Sequence, residues 1–182
     1  MAVRRIVTGV DERGRAVVLS DGPSPRAHDF VHMPSHSMSL LWGTDGVPPL
    51  GAPTVDPAPG LPGAVPAPGG TVFMVVTLPP RAVLTSDDYD PGAARSEQMA
   101  FAPDLYARFE KDNPGFHATP TVDYVIVLND ELTLELDDGS LTQVRAGDVV
   151  VQNGNRHAWR NNGAGPVSFA CVLLGAGGAS KP

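Results

Sequence analysis

The stretch whose reading decides the fold opens Phe116-His117-Ala118-Thr119-Pro120-Thr121-Val122-Asp123-Tyr124 and closes Gln152-Asn153-Gly154-Asn155-Arg156-His157-Ala158-Trp159-Arg160-Asn161. In an extended strand, alternate side chains share a face. His117, Thr119, Thr121 and Asp123 stand at even offsets, so all four point one way while Pro120 and Val122 point the other. The same parity sends His157 and Trp159 inward. It turns Arg156 and Arg160 toward solvent or an interface.

Strand signals continue on both sides of this stretch. Tyr124-Val125-Ile126-Val127-Leu128 is an apolar run, with Tyr124 turned away from Asp123 and read as packing. Leu132, Leu134 and Leu136 alternate with Thr133 and Glu135, for which an exposed face is expected. Asp137-Asp138-Gly139-Ser140 then makes a hairpin turn. Upstream, Val72-Phe73-Met74-Val75-Val76 is a continuous apolar run, and Arg5-Ile6-Val7-Thr8, Ala16-Val17-Val18-Leu19 and Met38-Ser39-Leu40-Leu41-Trp42 read as further strands. This spacing is that of an all-β barrel or sandwich. One helix is expected, between residues 96 and 111, short because Pro103 interrupts it.

Residues 47–70 are dominated by Pro, Gly and Ala and offer almost nothing to anchor a core. They read as a mobile or polyproline-like surface loop, an insertion or a lid. With 182 residues the chain is long enough for one domain with a real core. A net charge of -7, with no basic run longer than Arg4-Arg5, argues against a nucleic-acid partner. No apolar run reaches the length that crosses a bilayer, and a cytoplasmic, soluble protein with no membrane partner is expected. The single cysteine, Cys171, sits in an apolar run and reads as a packing residue. His28, His32 and His36 recur at helical spacing, but Pro34 separates the last two, so they read as loop or edge-strand residues near the barrel mouth.

These residues resemble the cupins, small β-barrels of jelly-roll type. The second motif of that family has a Pro, a Gly two residues on, a His three residues later and an Asn four residues further; here the positions read Gln152, Gly154, His157 and Asn161, with only the Pro replaced. The first motif has a His, a second His two residues on, a Glu and then a Gly. Here it reads His117, Thr119, Asp123 and Asp130, altered at three positions. The resemblance covers residues 116–174 and extends back to Val72. More narrowly, Arg4-Arg5-Ile6-Val7-Thr8-Gly9, Leu41-Trp42-Gly43-Thr44-Asp45-Gly46 and Asp123-Tyr124 resemble a bacterial group of single-domain cupins in which Thr replaces the second His and Asp the Glu.

The resemblance implies an all-β, cupin-type jelly-roll β-barrel at residues 71–176, with extra N-terminal strands (1–46) packing on it, one short helix, the loop 47–70 and a tail at 177–182. It implies a divalent metal held by His117, Asp123 and His157, the donor set of a non-haem iron facial triad, which also suits Zn, Mn or Ni. Thr119, Thr121, Gln152 and Trp159 would line the substrate pocket, Thr119 holding a bound water at most. A polar pocket without metal is the alternative. Three functions remain open: a metal-dependent lyase or isomerase on a small aromatic, keto or carboxylic substrate, an iron-dependent dioxygenase, and a non-catalytic small-molecule binder. With the three donors occupied as ligands, few acids or bases remain inside, which ranks oxygenation first. A homodimer is expected from the same resemblance.

Overall fold

The computed structural model describes residues 3–48 and 55–177. Eleven strands form among these residues. β1 (Arg4–Val10) and β2 (Ala16–Pro23) make a two-stranded antiparallel sheet. β3 (Arg26–Asp29), β4 (Ser37–Thr44), β5 (Thr71–Leu78), β6 (Thr121–Val127), β9 (Val149–Asn153) and β11 (Val167–Gly175) form a six-stranded sheet in the order β3-β4-β5-β11-β6-β9. β7 (Glu131–Leu136), β8 (Leu141–Arg145) and β10 (His157–Arg160) form a three-stranded sheet in the order β10-β7-β8. All pairings are antiparallel. From β6 onward the chain passes back and forth between the six-stranded and the three-stranded sheet around one core, the arrangement of a jelly roll.

The period-2 reading of β6 holds. Thr121, Asp123, Val125 and Val127 are buried while Tyr124 and Ile126 are exposed. Val125 and Val127 contribute about 1.5–3 kcal/mol each by leaving water, and they fix the register that also turns Asp123 inward. Tyr124 faces solvent rather than packing. Thr133 is buried and Glu135 half-buried on β7, against the expectation of an exposed face. Cys171 is buried on β11, and burial pushes its thiol well up from the ordinary range.

The helical segment differs from the sequence reading. Three helices lie between β5 and β6: α1 (Arg81–Leu84), α2 (Pro91–Phe101) and α3 (Pro103–Tyr106). Asp90 caps α2, its Oδ1 accepting from the amides of Gly92 (2.8 Å) and Ala93 (3.0 Å), with Pro91 at the first helical position. Such a cap is worth about 1 kcal/mol and starts the helix five residues before Ser96. Pro103 opens α3 instead of interrupting one helix, because a proline in the first turn lacks only an amide that has no partner there anyway.

The Pro/Gly-rich segment is also corrected in part. Residues 49–54 lie outside the described residues, but Ala58, Leu61 and Ala64 are buried in the core. Arg5, itself buried, donates to the Leu41 carbonyl (3.0 Å) and pairs with Asp56, tying this segment to β1 and β4. Asp104 accepts from the Val65 amide at 2.7 Å. Small side chains and backbone hydrogen bonds anchor a segment that composition alone reads as unanchored. The tail at 178–182 lies outside the described residues, and no helix among those described is long and apolar enough to cross a membrane.

Candidate functional site

A cavity of about 1070 Å³ runs into the barrel between the two sheets, with α2 and α3 along one wall. His117 reaches it from the segment before β6 and His157 from the start of β10. The two backbones form an isolated bridge, each amide donating to the other's carbonyl at 3.0 Å. This bridge brings two residues forty positions apart into contact, with ring centroids 4.5 Å apart and planes at 50°. Phe109 stacks on the other side of His117 at 4.1 Å, and Trp159 meets His157 edge-on at 6.1 Å.

Each imidazole is oriented by its own backbone. His117 Nδ1 lies 3.1 Å from the Gly115 carbonyl and His157 Nδ1 3.0 Å from the Asn155 carbonyl. A carbonyl only accepts, so in both rings Nδ1 carries the proton and Nε2 presents a bare lone pair. Neither Nε2 has a hydrogen-bond partner among the described residues. Burial holds the His117 pKa down at about 4, reinforced by the neighbouring His157. His157 is also lowered by burial, with Asp123 acting against it. Both rings are therefore neutral at pH 7, the protonation state a metal ligand requires.

Asp123 stands beside them on β6, opposite Gln152 on β9 and Leu173 on β11. Its carboxylate is buried and poorly satisfied. Thr121 donates to the Thr119 hydroxyl at 2.7 Å, Thr119 reaches Asp123 Oδ2 only at 3.5 Å, and Oδ1 has no partner. Burial accordingly pushes the Asp123 pKa up. Gln152 Nε2 is likewise buried without a partner. An orphaned carboxylate oxygen inside a barrel calls for a proton, a water or a cation.

The sequence-derived residues thus divide. The fold brings His117 and His157 together, with Asp123 in their electrostatic field. Among the described residues, however, no group of three or more His, Cys, Asp and Glu stands in metal-ligating geometry. Asp is one methylene shorter than the Glu of the resembled motif, and the β6 register holds its backbone fixed. Thr119 and Trp159 line the cavity, whereas Thr121 and Gln152 are buried beside Asp123. The donor chemistry, two neutral imidazoles and a carboxylate in want of a positive partner, fits a divalent cation.

Arg156 and Arg160 are not free surface groups. Arg156 pairs with Glu110 and Asp137 and sits 3.8 Å over the Phe116 ring, while Arg160 donates to Glu135 at 2.7 Å and to the Pro114 carbonyl at 2.6 Å. The outward face of β10 is covered by residues 110–116, which parity alone does not reveal. Asn161 is buried and structural, donating to the carbonyls of Leu78 (3.1 Å) and Gly165 (2.8 Å).

Sequence reasoning passed over a second polar group in the same cavity. His36 is buried before β4, its Nδ1 bonded to the Thr77 carbonyl (2.7 Å) and its Nε2 to the Tyr106 hydroxyl (3.0 Å). Burial takes the His36 pKa down to about 4 and raises that of Tyr106. Arg95 and Gln98 of α2 also line this wall. Partners some seventy residues apart leave no local signal; His28 and His32, in contrast, lie on the edge strand β3 and in the following loop, as read.

No family model matches the chain. It is 34% identical over 84 residues to oryzines biosynthesis cluster protein J of Aspergillus oryzae, covering 46% of this chain and 36% of that protein. It is 41% identical over 61 residues to the cupin-domain-containing oxidoreductase virC of Hypocrea virens, covering 32% of this chain and 31% of that one. The matched segment thus spans about a third of the length of these curated relatives. Solved cupin structures are similar at low identity. One is an RmlC-like cupin with a double-stranded β-helix fold from Methanocaldococcus jannaschii, with TM-score 0.37 and 14% identity over 58% of this chain and 70% of that one. With β6 to β11 divided between two antiparallel sheets around a cavity that takes up both motif histidines, the chain is an all-β protein of the cupin-type jelly-roll fold.

Proposed function

We propose that this chain is a metal-dependent enzyme acting on a small oxygenated organic substrate, with the metal held by His117 and His157 and by Asp123 as the anionic third ligand. The observation that carries this reading is the pair of imidazoles whose Nδ1 protons are committed to backbone carbonyls while both Nε2 lone pairs stay open, next to a carboxylate with an orphaned oxygen. The partial similarity to a cupin-domain oxidoreductase supports oxidoreductase chemistry as the first class. Bound there, iron would supply a redox centre with open positions, and zinc, manganese or nickel a Lewis acid.

The protein's own part is to bind, orient and exclude water. The Gly115 and Asn155 carbonyls hold both rings in one tautomer. The Thr121–Thr119 hydroxyl pair points its remaining donor at Asp123, while Trp159 and Phe109 give a substrate an apolar wall beside the histidines. Tyr106 and His36 add a second polar pair, but both are neutral at pH 7 and displaced from a working pKa. Scarcity of proton-transfer groups favours oxygenation over lyase or isomerase chemistry.

The test is elemental analysis of untagged protein purified without oxygen, alongside His157→Ala. Near-stoichiometric iron that disappears in the variant is the expected result and directs assays to oxygen consumption. Zinc, manganese or nickel redirects them to lyase and isomerase reactions. No metal in wild type, before or after reconstitution, overturns the reading in favour of a non-catalytic binder.

A further inference from the structure

We propose that the cavity binds an organic carboxylate, with the acid group held by Arg95 on α2 and the apolar body laid along the barrel toward His117 and His157. The proposal deepens the metalloenzyme reading and rests on it only for the reacting end of the substrate. Its starting point is a charge distribution that runs against the rest of the molecule. Acids outnumber bases 20 to 13 over the chain, yet the cavity wall carries Arg81, Arg95, Lys111 and Arg160.

The acids of that wall do not neutralise these cations equally. Glu135 pairs with Arg160, and Glu110 is taken by Arg156, which does not line the cavity. Asp123 lies at the histidine end. Arg95 has no hydrogen bond or ion pair among the described residues, although it is half-buried. Glu97, two positions along the same helix, is committed elsewhere: it bonds His28 Nε2 at 2.8 Å and accepts from the amides of Val31 and His32 at 2.9 Å. A half-buried guanidinium with no protein partner is available to an anion from the cavity, and its planar fork matches a carboxylate in two parallel hydrogen bonds. Arg81 and Lys111 are exposed, so solvent and salt screen them, and they act in steering an anion inward rather than holding it.

Tyr106 borders the anchoring end but donates nothing to the anion. The Thr77 carbonyl claims the proton on His36 Nδ1, so His36 Nε2 accepts and the Tyr106 hydroxyl must donate to it. The phenol is thereby pinned on the wall that Arg95 shares, and the two are close enough for the Arg95 charge to act on the hydroxyl. Much of the remaining wall is apolar, with Met33, Met38, Met74, Leu105, Phe109 and Trp159 among its residues. A cavity of about 1070 Å³ asks for more than a small anion. A carboxylate with a hydrophobic or aromatic body fits both ends.

The experiment is calorimetric titration of chelator-treated, metal-free protein at low ionic strength with 4-phenylbutyrate, its neutral amide and phenyl phosphate. The acid is expected to bind about tenfold or more tightly than the amide. Arg95→Gln should bring the acid down to the level of the amide and leave amide binding unchanged; Arg95→Lys, which keeps the charge without the fork, should recover part of the loss. Equal binding of acid and amide, binding of neither, tighter binding of phenyl phosphate, or unchanged acid binding in folded Arg95→Gln would each overturn the proposal. Should Arg95→Gln fail to fold, acid binding by Arg95→Lys as tight as wild type overturns it in the same way. Because no metal is present, the outcome is independent of whether the histidine pair holds one.

Discussion

The cavity holds histidines in two settings, and the difference between them separates architecture from chemistry. His36 has both nitrogens bonded, to Thr77 and to Tyr106, and its ring stacks on Phe30 at 4.3 Å. His117 and His157 each have one nitrogen bonded and the other open. All three are neutral by burial, so protonation state does not distinguish them. What does is the spare lone pair: a satisfied imidazole is a structural cross-link, while an oriented and half-satisfied one is a ligand in waiting.

The comparison breaks most sharply by truncation. His36→Ala should cost about 2–4 kcal/mol, because it opens a cavity beside Phe30 and strands the Tyr106 hydroxyl and the Thr77 carbonyl. It should leave metal stoichiometry intact. His157→Ala should do the reverse, removing the metal while the metal-free protein unfolds at nearly the wild-type denaturant concentration. Denaturant titration and metal analysis on both variants check this. Metal lost in His36→Ala, with the protein still folded, would erase the distinction.

A second difference lies in how acid acts. The folded pKa of His36 is about 4, below its ordinary value of 6.5, so the unfolded chain binds the extra proton first as pH falls. The stability that neutral His36 contributes is complete above pH 6.5 and is lost as pH drops toward 4, on the order of 3 kcal/mol in all. Denaturation midpoints of wild type should therefore fall across that window more steeply than those of His36→Ala. Parallel pH profiles would show that His36 titrates no differently when folded.

Much of the fold was legible because β6 and its neighbours obey a strict period of two: Asp123, Val125 and Val127 on one face, Tyr124 and Ile126 on the other, leave little choice of register. The histidine pair followed from the same parity and from the motif spacing. What was not legible depended on distant partners. Arg160 reads as solvated until residues 110–116 close over it, and His36 reads as a loop residue until Tyr106 arrives from α3. The start of α2 did carry a local signal, Asp90 followed by Pro91, but the helix has too little amphipathic pattern to call attention to it. Buried Ala58 and Ala64 show the opposite failure. Composition undervalues small residues that fill space between larger ones.

The smallest expected effect concerns Thr119, which occupies the place of a histidine in the resembled motif. Its hydroxyl accepts from Thr121 at 2.7 Å and stands 3.5 Å from Asp123 Oδ2, too far for a strong bond. A neutral hydroxyl so placed neither holds the carboxylate firmly nor competes with an imidazole for a cation. Thr119→Ala should therefore cost about 1 kcal/mol or less of stability and change metal affinity by no more than about tenfold, the lower end for removal of a supporting group. A complete loss of metal in this variant would place the hydroxyl among the primary ligands, and the two-histidine setting would then be a three-point site in which Thr119 does the work assigned to Asp123.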